Sequence, residues 1–149
     1  MRIRGHPVHP MLVHFPVAFW TVAALAHVVA AAGLEEGALE IAKLANGAGL
    51  VMALPAMVAG LLELRTIDER SEAMRVATWH LIVMTGVWLC FLIALLLSTS
   101  SQTIMNPWTA QLVATASAII GFLLMVVGGW LGGRLVYGFG IGVKGTPKP

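Results

Sequence analysis

A chain of 149 residues that is 58% hydrophobic and only 11% charged cannot hide its apolar surface from water as one domain, so lipid must be its main solvent. A formal charge of +2 with no Lys/Arg-rich run argues against a surface that tracks nucleic-acid phosphates. The single cysteine, Cys90, leaves no disulfide framework and no paired-thiol motif, and packing is its expected role.

The chain opens with Gly5-His6-Pro7-Val8-His9-Pro10-Met11-Leu12-Val13-His14-Phe15-Pro16. Residues that precede proline are pushed out of the helical region, so His6 and His9 are expected in an extended lead-in, with Pro10 at the first helical position. The first apolar run covers 11–34. Arg2, Arg4 and Ala30-Ala31-Ala32 resemble the ends of a cleavable leader. The run is longer than a usual leader core, however, and it carries His14, Pro16 and His27, which favours a retained helix. Pro16 removes the hydrogen bond to the Leu12 carbonyl and should kink the helix beside His14.

Further apolar runs cover 44–62, 76–97 and 108–133, and none of the four contains Lys, Arg, Asp or Glu. Each approaches or exceeds the roughly 20 residues a spanning helix needs, and none alternates in polarity as a membrane strand would. The expected fold is therefore an all-α membrane protein of four transmembrane helices. Connections of about ten residues favour an up-down-up-down bundle. Trp79 and Trp108 sit where an aromatic belt belongs, whereas Trp20 and Trp88 lie deeper, where packing is expected. In the fourth run, Gly128/Gly132 and Gly129/Gly133 form overlapping GxxxG spacings suited to close packing or to a homodimer face. The domain should run over 1–143, followed by a flexible tail at 144–149 without apolar periodicity. No internal repeat is evident.

Lys and Arg fix the orientation, because they stay cytoplasmic in short loops. Arg2, Arg4, Arg65, Arg70, Arg75, Arg134, Lys144 and Lys148 share one side of a four-span protein, and only Lys43 lies on the other. Both termini are thus expected in the cytoplasm, with the protein multi-pass in a bacterial inner membrane.

Histidine carries the candidate chemistry. His14 and His80 each lie about one turn inside their helices at the same face, and two such imidazoles could bracket haem b as axial ligands. Met84, one turn beyond His80, is an alternative axial ligand, though methionine is more often a core filler. A transition-metal site built from His6, His9 and His14, with His80 as a further donor, competes with the haem. His27, toward the far face, reads as an interfacial or packing residue. Glu63 reads as an end charge or a partner of an imidazole. No nucleophile–base pair, phosphate loop or carboxylate pair appears in the spans, so no catalytic residue is assigned. Three functions follow as expectations: an electron-transfer protein or redox-complex subunit with haem b, a permease-like component with a metal site, and a structural or assembly subunit.

The N-terminal segment resembles the HPxHPxxVHFP signature of the bacterial four-span membrane proteins classed as domain of unknown function 2231. Val76-Ala77-Thr78-Trp79-His80 is similar to that family's third-helix histidine region, and residues 128–143 are similar to its closing GWLGGxLVYxxGxGV stretch. The resemblance covers nearly the whole chain. It departs from the family pattern at His27 and at Glu63, where the family often has an acidic residue and a Gly-x-x-Asp ending. Family members can be joined to Rieske-type iron–sulfur domains, so the resemblance implies an electron-transfer setting and an iron–sulfur protein as redox partner.

Overall fold

The computed structural model describes residues 2–3, 6–100 and 105–142, with the side chains of Arg2, Ile3, His6 and Pro7 left out. A two-residue antiparallel bridge pairs β1 (Arg2–Ile3) with β2 (His6–Pro7). The helices follow: α1 (Val8–Leu12), α2 (His14–Ala31), α3 (Ala38–Leu64), α4 (Glu72–Thr99) and α5 (Pro107–Gly133). A π-helical turn, Arg134–Gly138, closes the series. Taking α1 with α2, four helices are long and apolar enough to cross a membrane, as the four runs required. The tail at 144–149 lies outside the described residues.

Local chemistry sets the helix ends. Ser71 accepts the Met74 amide at 3.1 Å to start α4. Asn106 accepts the Thr109 amide at 2.9 Å to start α5, with Pro107 at the first helical position, where no amide donor is needed. After the π turn, Gly140 takes φ +68°, its amide reaching the Val136 carbonyl and that of Ile141 reaching the Leu135 carbonyl, a left-handed closure that glycine enters cheaply.

The entry into the first span differs from the expectation. His6 is extended, but His9 lies inside α1, and Pro10 is its third residue rather than its first. Proline is tolerated there because the first four amides of a helix have no intrahelical acceptor. α1 and α2 are divided at Val13, beside the Leu12 carbonyl for which Pro16 supplies no amide, while Val13 keeps helical φ and ψ and its amide reaches the His9 carbonyl at 3.2 Å.

The most extensive packing lies within two antiparallel hairpins, α2 with α3 and α4 with α5. Small residues let each pair approach closely, and the hairpins match one another. Buried Ala38, Ala42, Asn46, Gly49, Ala53 and Ala56 on α3 correspond to Ala110, Ala114, Ala118, Gly121, Met125 and Gly128 on α5, a displacement of 72 residues. Pro16, Trp20 and Ala23 on α2 correspond to Val87, Phe91 and Ala94 on α4, a displacement of 71. The chain therefore contains a structural repeat, contrary to the reading of its sequence. Four of these nine pairs are identical, all alanine or glycine, and the other five differ in size or polarity. The hairpins meet on the stacked rings of Trp20 and Phe91, 5.0 Å apart and 4° from parallel, both almost wholly buried. Trp79 and Trp108 are exposed and Trp20 is buried, as expected, with Trp88 half-buried.

Candidate functional site

At one end of the bundle the imidazoles of His9 and His80 meet, their centroids 6.4 Å apart and their planes perpendicular. His9 Nδ1 lies 2.8 Å from the Ala56 carbonyl on α3, and His80 Nδ1 lies 2.9 Å from the Gly128 carbonyl on α5. A carbonyl only accepts, so Nδ1 carries the proton on both rings, and in the neutral form Nε2 is left with a free lone pair. One turn beyond each carbonyl stands a glycine: a Cβ on Gly60 would lie 3.1 Å from His9 Cε1 and Nδ1, and one on Gly132 would lie 3.3 Å from His80 Cε1. Carbonyl and glycine positions again differ by 72 residues, so the same device is used once per hairpin.

The surroundings close this end. Val76, Ala77 and Leu135 form a small core, with Leu64, Ile67, Leu131, Phe139 and Ile141 packed against it. Met84 fills the space above Gly128, where a Cβ would collide with its sulfur. Glu63, half-buried, lies one turn past Gly60 with its carboxylate against Gly142. Arg134 in the π turn donates to Glu72 at 2.8 Å and covers the Phe139 ring. The GxxxG residues are thus divided: Gly128 and Gly132 receive Met84 and His80, while Gly129 faces open space.

His14 is exposed on the outer face and does not join His80, so the expected His14–His80 bracket is replaced by His9–His80. The reason is helical phase. The face of α2 that packs inward carries Pro16, Trp20, Ala23 and His27, and stepping back by heptads from those positions reaches His9 and passes His14 by. On α4, His80, Val87, Phe91 and Ala94 keep the same phase. That spacing is in the sequence and could have selected His9. The side chain of His6 lies outside the described residues, and among those described no group of three or more His, Cys, Asp or Glu gathers as a metal cage. His27 is fully buried rather than interfacial.

The model of a family described as predicted membrane protein, DUF2231, matches residues 5–145. The chain belongs to the DUF2231 family. No curated protein and no solved structure matches it. In this DUF2231 chain one histidine of the N-terminal segment, His9, meets the third-helix histidine, His80.

Proposed function

We propose that this DUF2231 protein is a small integral membrane electron-transfer protein or redox-complex subunit that holds haem b between His9 and His80. The observation that supports the reading is the pair of Nδ1–carbonyl bonds, which present two Nε2 lone pairs as ligands. A metal-ligating histidine characteristically gives its other ring N–H to a carbonyl or carboxylate, which fixes tautomer and ring orientation. His9 and His80, with ring centroids 6.4 Å apart, are the residues that would hold the group, each through Nε2. When bound, haem iron would supply one-electron chemistry. The chain's own part is to hold the rings through Ala56 and Gly128, to remove side-chain bulk beside them at Gly60 and Gly132, and to keep water out with the apolar cluster around Leu135.

In this reading both termini and the histidine end face the cytoplasm across a bacterial inner membrane, following the basic residues of the 65–75 loop and the tail. An iron–sulfur protein would be its redox partner, and the open side of α5 at Gly129 is the surface left for self-association. The test is a visible spectrum with elemental analysis of protein expressed with ample haem and purified in mild detergent. A Soret band with stoichiometric iron supports the proposal. A stoichiometric metal without that band transfers the site to a bare transition-metal ion, and neither signal removes the cofactor and leaves a structural subunit.

A further inference from the structure

The two hairpins match closely enough that their mismatches stand out, and two of them bury, in the first hairpin, larger polar side chains whose polar atoms are not all bonded among the described residues. Asn46 stands where the second hairpin has Ala118, and His27 where it has Ser98. Both are fully buried. Asn46 donates to the Phe91 carbonyl at 3.0 Å, but its Oδ1 has no partner among the described residues. The cost at His27 is larger still, since neither ring nitrogen has a partner among the described residues. Trp20 Nε1, on the same seam, also has no partner among the described residues. Buried polar atoms are almost always bonded, and a run of orphans in one place is where internal water belongs, each molecule taking about three such partners.

The placement gives this group a way out. Gly49 lies against the Trp20 ring. Because α2 and α3 run antiparallel, Asn46 therefore lies about one turn from Trp20 toward His27. One turn past His27 is Ala30, and one turn before Thr115, whose hydroxyl lies 3.3 Å from the His27 carbonyl, is Gln111. Ala30 and Gln111 both line a surface cleft with Gly33, Glu35, Glu36 and Leu39. In the other direction, the stacked Trp20 and Phe91 rings block the bundle.

We propose that His27 and Asn46 form the floor of a water-filled inlet that opens between Ala30 and Gln111, on the face opposite the His9–His80 pair, and ends at the Trp20–Phe91 stack. Its ligand is water. The inlet stands independently of the haem reading, because it uses none of that site's residues.

Water-edited solid-state NMR on the uniformly 15N-labelled full chain in lipid vesicles tests the inlet directly. Magnetisation from water should reach the His27 ring nitrogens at a rate comparable with that for the exposed Glu35 amide, with His27→Phe assigning the signal by its loss. Asn46→Ala, which copies the second hairpin, should slow the transfer roughly twofold, because a buried water loses one of about three partners. Ala30→Leu should slow it further by narrowing the mouth. A His27 ring that stays silent while Glu35 responds overturns the proposal, and so does transfer that Ala30→Leu leaves unchanged.

Discussion

Adding one methyl group at Gly49 probes the contact on which the two hairpins converge. A Cβ there would lie 2.6 Å from Trp20 Cδ1 and Nε1 and 3.2 Å from Cε2. Carbon atoms rest at about 3.5–4.0 Å, so ring and helix must separate by roughly 1 Å. Trp20 is 1% exposed and stacked on Phe91, which is 0% exposed, so the ring has no free side to move into. Over-packing of this kind costs about 1–3 kcal/mol, and the better helix propensity of alanine returns at most about 1 kcal/mol. Gly49→Ala should therefore destabilise the bundle by about 1–2 kcal/mol. Gly129→Ala is the control, because nothing lies within 4 Å of its Cβ. It should be neutral or slightly stabilising. Unfolding both variants by SDS titration in lipid–detergent micelles, followed by tryptophan fluorescence, gives the comparison. Equal midpoints would refute the packing described for Trp20.

Pro16→Ala restores an amide for the Leu12 carbonyl and should heal the break at Val13. Because Pro16 is the third residue of α2, in the first turn where the amides have no intrahelical acceptor, stability should change little, while cofactor binding weakens because α1 no longer brings His9 to His80; unchanged binding would show that the break does not position the ring. Gly60→Ala and Gly132→Ala crowd the two imidazoles, and each should shift the absorption of a bound cofactor without unfolding the bundle, which a spectrum and an SDS midpoint check together. Glu72→Gln removes the Arg134 pair, whose side chains are 43% and 52% exposed; an exposed ion pair contributes about 0–1 kcal/mol, so the SDS midpoint should move little and less still at high salt.

Four spans were legible because the bilayer imposes a length and forbids charge, and the runs at 11–34, 44–62, 76–97 and 108–133 satisfy both. Most of their true ends lie outside those limits, although the first span stops at Ala31 and α5 ends at Gly133 as expected. Glu72 and Arg75 begin α4, since charged residues are welcome in helical turns that reach the headgroups. Facing was harder to read. In a soluble helix polarity marks the buried side, but here the lipid-facing residues are as apolar as the core, and what distinguishes the inner face of α3 and α5 is small size. The same effect hid the repeat. Trp20 and Phe91, or Pro16 and Val87, do equivalent packing with different side chains, and apart from His9/His80 the retained pairs are alanines and glycines such as Ala42/Ala114, Gly49/Gly121 and Gly60/Gly132, which are common throughout the runs. His14 drew attention by its depth in the first run, yet phase rather than depth decides which histidine turns inward, and the proline break made that phase difficult to count.

The cofactor claim is tested most directly by absorption spectra of three single variants, His9→Ala, His80→Ala and His14→Ala, each expressed with ample haem and compared with the parent protein. Loss or reorganisation of the Soret band in the first two, with an unchanged band in the third, is the predicted result. A band that survives both His9→Ala and His80→Ala, or that disappears only with His14→Ala, contradicts the account.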